Sequence, residues 1–161
     1  MLKLTEYSER HKDGMVRILN NENIAKWLIG PPFPYSEEDA LQYIKSCSKK
    51  NGTDHSFAVE YEDEFAGGIS LHLKNDFSAV TGYYLDEKHW NKGIMTEILT
   101  RVADYAFNAL NLKRISAYVF EDNIASERLL IKCGFENEGY LRKSHRKGDK
   151  YFNTKLFSKV I

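Results

Sequence analysis

Two cysteines, three prolines, no net charge and no long apolar run set the first limits on this chain of 161 residues. Cys47 and Cys133 form no Cys-x-x-Cys pair, so a disulfide-built scaffold is excluded. Both thiols are expected to be reduced inside helices, and a cytoplasmic setting follows. The prolines crowd into Gly30-Pro31-Pro32-Phe33-Pro34-Tyr35, which therefore cannot be helical. With 23 basic and 23 acidic side chains no global field draws in nucleic acid or a membrane surface, and neither is an expected partner. Apolar runs of only a few residues leave no transmembrane helix, and Met1-Leu2-Lys3-Leu4-Thr5-Glu6 carries no signal-peptide pattern. His11, His55, His72, His89 and His145 never fall at ligand spacing beside a cysteine or carboxylate cluster, so no metal is expected. Neither G-x-x-x-x-G-K-[ST] nor G-x-G-x-x-G occurs, which argues against an ordinary nucleotide-binding domain.

What is present reads as one α/β domain over residues 1–161, its apolar content of 42% enough for a core of its own. Alternation at residues 2–7 predicts a strand, and Met15, Ile18 and Leu19 share one face of a helix from about residue 10 to 20. A shorter helical piece carries Ile24, Trp27 and Leu28. Ser36-Glu37-Glu38-Asp39 is a capping box for a helix with Ala40, Tyr43, Ile44 and Cys47 inward, ended by Lys49-Lys50-Asn51-Gly52. Strands follow at 56–62, 65–74 and 78–85, the first two joined by a turn at Asp63-Glu64. A long helix then aligns Ile94, Ile98, Val102, Tyr105, Ala106 and Ala109, with Asn111 as its stop. Residues 114–120 form a strand, and Asn123 caps a helix with Leu129, Leu130 and Cys133 inward and Gly134 as stop. Strands at 138–146 and 151–160, around Lys147-Gly148-Asp149, close the chain.

The stretch Leu85-Asp86-Glu87-Lys88-His89-Trp90-Asn91-Lys92-Gly93-Ile94 leads from a strand into the long helix. Such a unit aims unpaired N–H groups and the positive end of a helix dipole at one point, where a phosphate fits.

Three segments sharpen that reading. Gly82-Tyr83-Tyr84-Leu85 with Trp90-Asn91-Lys92-Gly93-Ile94-Met95-Thr96-Glu97, then Asn123-Ile124-Ala125-Ser126 with Gly134-Phe135, then Glu138-Gly139-Tyr140-Leu141-Arg142 stand in order on successive elements. Together they resemble the GNAT acyl-CoA-dependent N-acetyltransferases, in the branch that includes ribosomal-protein N-terminal, spermidine and some antibiotic acetyltransferases. The resemblance covers essentially the whole chain. It implies an α/β (α+β) fold with a mixed, mostly antiparallel central sheet of about seven strands flanked by helices, the fourth and fifth strands splayed. It further implies acetyl-CoA as cosubstrate, an amine acceptor (a peptide N-terminus or a small amine) and, since related enzymes are often dimers, a homodimer.

Residue roles follow from the resemblance. Main-chain groups of Tyr84, Leu85 and Asp86 would run beside the pantetheine arm, and N–H groups of Asn91, Lys92, Gly93, Ile94, Met95 and Thr96 would hold the pyrophosphate, with Asn123 and Ser126 also at the cofactor. The loop departs from the family pattern at Trp90, where a glutamine or arginine is usual, and at Met95, where a small residue is usual. The N–H near Leu85 would receive the oxyanion. Ser126 has two readings, proton donor to the leaving thiolate or satisfier of first-turn N–H groups. Tyr140 is a second phenolic candidate, more ordinarily a lining residue. Where many members carry a glutamate on the fourth strand, this chain has Val80, which takes no proton. His72 on the preceding strand is the substitute base, or water serves. An α-amine, with an unperturbed pKa of roughly 7.7–8.0 against about 10.4 for lysine, needs the least help, so the missing carboxylate favours an α-amine. Trp27, Phe33 and Tyr35 are the expected acceptor-binding aromatics. Alternatives are a degenerate acyl-CoA-binding module and an acetyltransferase for a polyamine or small-molecule amine.

Overall fold

A computed structural model describes residues 1–49 and 52–161; the predicted helix stop falls partly on Lys50 and Asn51, outside the described residues. The chain forms two compact units, residues 1–72 with 83–94, and residues 73–82 with 95–161. Seven strands among the described residues follow the order β1-β2-β3-β4-β5-β7-β6, a mixed sheet in which β4–β5 is parallel and the β1–β2, β2–β3, β5–β7 and β6–β7 pairs are antiparallel.

In the first unit β1 (Leu2–Thr5), β2 (Asp54–Tyr61) and β3 (Glu64–Leu73) make an antiparallel meander. Its tight turn is Glu62-Asp63 rather than the predicted Asp63-Glu64: both residues are left-handed, with φ of 52° and 65°. Two-residue hairpins need positive φ at both centres, and alternation alone does not locate them. Helix α1 (Lys12–Leu19), preceded by a 3-10 turn at Glu9–His11, buries Met15, Ile18 and Leu19 as predicted. Helix α2 (Glu22–Ala25) is capped by Asn21 and stops before Trp27 and Leu28. Helix α3 (Glu37–Ser48) has its full capping box: Ser36 Oγ accepts from Asp39 N–H at 3.0 Å, and Ser36 N–H donates to Asp39 at 2.8 Å. Only Ala40 and Ile44 of its predicted stripe are buried. Tyr43 stands at the edge, its ring edge-on to Tyr7, and Cys47 is half-buried against the core. The core here joins Met15, Ile18, Leu19, Ile24, Ala40, Ile44, Ala58 and Phe65 around Tyr7.

In the second unit β5 (Arg114–Phe120) pairs along its whole length with β7 (Lys150–Val160), which pairs with β6 (Glu136–Lys147). Strand β4 (Ser78–Leu85) pairs with β5 only over Ser78–Val80 opposite Arg114–Ser116, although both strands run on. That short ladder is the splay the resemblance implies. Helix α4 (Ile94–Asn108) buries Met95, Ile98, Leu99, Val102, Ala103, Ala106 and Phe107. It ends three residues before Asn111, whose left-handed φ of 56° instead turns the chain into β5, so Ala109 is outside the helix and exposed. Helix α5 (Ile124–Lys132) stops at Gly134, φ 87°, with Cys133 as its buried C-terminal cap rather than inside it. Both thiols are free.

Candidate functional site

The loop after β4 is held by its own backbone and by the first unit. Asp86 N–H donates to Ala66 C=O at 2.7 Å, seating the end of β4 on β3. A Cβ at Gly67 would lie 2.2 Å from Tyr84 O, so only glycine allows this approach. The Tyr84 phenol is 3.3 Å from the Tyr7 hydroxyl in the core, and burial drives its pKa far up. By strand alternation, with Asp86 N–H toward β3, Leu85 N–H points away from β3. The buried Asp86 carboxylate accepts from Arg17 Nη1 at 2.7 Å, so Asp86 has both N–H and carboxylate engaged within the protein. Glu87 accepts from Asn21 at 2.7 Å and from Asn23 at 3.2 Å, and Lys88 donates to Glu64 at 2.7 Å. Both nitrogens of His89 are buried without a partner, its ring edge-on to Tyr61; desolvation, then Lys88, depresses its pKa.

The two departures from the family loop have physical accounts. Trp90 Nε1–H donates to Leu85 C=O at 2.9 Å, so the indole closes the loop on the strand it leaves. Met95 is 7% exposed and fills core as α4 begins. Asn91 and Gly93 are left-handed, φ 60° and 75°, at the entry to α4, and beyond the chain neighbours no heavy atom lies within 4 Å of where a Gly93 Cβ would stand. Lys92 is exposed. Thr96 C=O accepts from Thr100 Oγ1 at 2.8 Å and from the Cys133 thiol at 3.7 Å, which ties the end of α5 to the start of α4.

At α5 the cap is Asn123, whose Oδ1 accepts from Ser126 N–H at 3.3 Å. Ser126 therefore does not carry the cap, and its half-buried hydroxyl lies on the first turn. His72 stands opposite Asp54 at the end of the β2–β3 ladder, with Nδ1 on the Asp54 carboxylate and half its side chain exposed. Tyr140 donates to Glu121 Oε2 at 2.5 Å, and that bond raises the phenol's pKa, making it a poorer proton donor. Asn153 also donates to Glu121, at 3.3 Å, and accepts from Lys143 N–H at 2.8 Å.

The three acceptor candidates separate. Tyr35 is 5% exposed in the core, its N–H and C=O both held by the Asn20 amide at 2.8 and 2.7 Å. Trp27 is half-buried under the Lys26 ammonium, and Phe33 is exposed before a cis proline. What the residue reading missed lies on the second unit's strands. Tyr118 meets His145 at 5.0 Å between ring centroids, and Phe120 stacks on Phe152 at 4.6 Å. Alternation through residues 114–120 and 150–160 was the available signal.

The family model described as an acetyltransferase (GNAT) domain matches residues 1–136. The N-acetyltransferase YoaA of Bacillus subtilis (strain 168) is 30% identical, over 99% of this chain and 93% of the relative. The ribosomal-protein-serine acetyltransferase of Escherichia coli (strain K12) is 26% identical, over 99% of this chain and 93% of its own length. The crystal structure of spermidine N-acetyltransferase from Vibrio cholerae, in complex with CoA and spermine, shares the fold with a TM-score of 0.85, at 24% identity, over 99% of this chain and 95% of that one.

Proposed function

Because the chain belongs to the GNAT acetyltransferase family, we propose that it transfers the acetyl group of acetyl-CoA to a primary amine, the N-terminal α-amine of a protein or peptide. The observation that carries the cofactor half is the pair of left-handed residues Asn91 and Gly93 at the mouth of α4, with open space where a Gly93 side chain would stand. Backbone N–H groups from Asn91 to Thr96 hold the pyrophosphate there, the helix dipole adding to them.

In the reaction the neutral amine attacks the thioester carbonyl, the C–N bond forms, and the oxyanion receives a hydrogen bond from Leu85 N–H. Collapse breaks the C–S bond, the Ser126 hydroxyl donates a proton to the leaving thiolate, and the proton lost by the nitrogen restores that hydroxyl through water, with Asn123 holding the helix turn that carries it. Val80, lacking a carboxylate, favours an acceptor that loses its proton easily, and an α-amine does so at a pH roughly 2.5 units below lysine. The likeness to the E. coli ribosomal-protein-serine enzyme supports the same acceptor. A polyamine is the second reading, supported by the spermine-bound Vibrio structure and opposed by the chain's formal neutrality.

Incubation with acetyl-CoA and a panel of peptides with free Ser or Ala termini, a blocked lysine peptide and spermidine, read by thiol release, tests this. Fastest release with an α-amine supports the proposal. Fastest release with spermidine transfers the acceptor to the polyamine class, and CoA binding without release from any amine overturns catalysis.

A further inference from the structure

The face of the second unit that carries Val80 also carries a histidine. In the parallel ladder Val80 is paired with Ser116, so both side chains lie on one side of the sheet. Alternation along β5 puts Tyr118 and Phe120 on that side. Their antiparallel partners on β7, Leu156 and Thr154, lie there too, and so does Phe152 two residues before Thr154. On β6 the partner of Phe152 is His145. The ring contacts agree with this register: His145 meets Tyr118, and Phe152 stacks on Phe120 at 15° between planes. His145 thus stands on the same side as Val80 with β5 and β7 between them, and reaches back to Tyr118 beyond the point where β5 has parted from β4.

Resting on the acetyl-transfer reading, we infer that His145 is the base that takes the proton from the acceptor ammonium, in place of the carboxylate that Val80 lacks. Its ring is oriented for this. Nδ1 is 3.0 Å from Ser144 Oγ, which is 2.7 Å from Oγ1 of the fully buried Thr154. With Nδ1–H donating to Ser144 and the Ser144 hydroxyl donating to Thr154, the lone pair is on Nε2. The register shift between Leu141 and His145, at left-handed Lys143 (φ 48°), is what lets the adjacent Ser144 and His145 serve one side. A bulge that re-aims side chains beside a site is a common use of one.

The imidazole meets the Tyr118 phenol from β5 and Ser144 Oγ on its own strand, and is the strand partner of Phe152 on β7, with Lys147 two residues on. Burial lowers the pKa of His145 below the ordinary histidine value, and burial lowers Lys147 as well, so the imidazole is neutral near pH 7. The step balances. Nε2 accepts one proton from R–NH3+, the freed lone pair forms the C–N bond, the C–S bond breaks and its electron pair leaves with CoA sulfur, which takes a proton from Ser126. The nitrogen's remaining extra proton passes through water to Ser126 and restores its hydroxyl, and His145 returns its own proton to solvent.

The test compares wild type with His145→Gln and His145→Ala across pH 5–9 on the best amine of the panel. CoA affinity within about twofold of wild type shows that the variants fold. Expected are a fall in kcat/KM of about 10²- to 10³-fold at pH 7, the disappearance of the acidic limb below pH 6.5, and partial rescue of His145→Ala by added imidazole. If wild type turns over and His145→Gln keeps its rate and its acidic limb, His145 is not the base; loss of that limb in His72→Gln instead assigns it to His72. No thiol release by wild type with any amine overturns the acetyl-transfer reading itself and this role with it.

Discussion

The loop after β4 and the strand face around His145 are built in opposite ways. The loop's turn is local: its left-handed positions, Asn91 and Gly93, are an asparagine and a glycine, the residue types that tolerate them, and residues elsewhere in the first unit brace it. The face is assembled from β5, β6 and β7, whose members lie far apart in the chain and meet only through register. A local site can be read from a motif, whereas an assembled one depends on which residues are paired, and a one-residue slip would send His145 to the other side.

Substitutions can sharpen that contrast. Gly93→Val should do the most damage to the loop, since a branched residue at φ 75° is strained and its side chain enters the open space. Calorimetry should read a loss of acetyl-CoA affinity of about 100-fold, corresponding to roughly 2.7 kcal/mol, with the strand face untouched as judged by the His145 NMR signal. Next is Arg17→Met, which leaves the buried Asp86 carboxylate without its cation. Denaturant unfolding should show a loss of about 2 kcal/mol, less than for a fully buried pair because Arg17 is 54% exposed. Ser126→Ala should lower kcat by about 10-fold with CoA affinity unchanged, because Asn123, not Ser126, caps the helix; a drop in thermal stability instead would return Ser126 to a structural role.

The smallest effect concerns His89. Its folded pKa lies below the unfolded value, so the unfolded chain binds more protons and stability falls as pH drops through the ordinary histidine range toward the depressed folded value. Thermal melts from pH 7 to 5 should show that fall, and His89→Phe, which keeps a ring against Tyr61, should make it shallower.

The residues themselves explain which parts were legible. Apolar periodicity located α4, and the Ser36 and Asn123 caps marked their helices, because each signal lies within one turn of the element it describes. Alternation bounded β4 and β5 to the residue. The turn at Glu62-Asp63 was misplaced by one because φ signs are not encoded in hydrophobicity. Tyr35 looked like a pocket aromatic until the Asn20 amide turned its backbone and sent the ring inward. Tyr140 looked like an acid until Glu121, 19 residues upstream, accepted its hydrogen bond and held the proton on the phenol.

By itself the sequence determined the family, the order of elements and the loop with Gly93, since those rest on local conformational preference and short motifs. It also determined that Val80 supplies no base. That His145 shares a side of the sheet with Val80 and that Asp86 is held by Arg17 were decided only in the folded chain. Those contacts join residues far apart in sequence, and strand pairing and burial, rather than local preference, choose their partners.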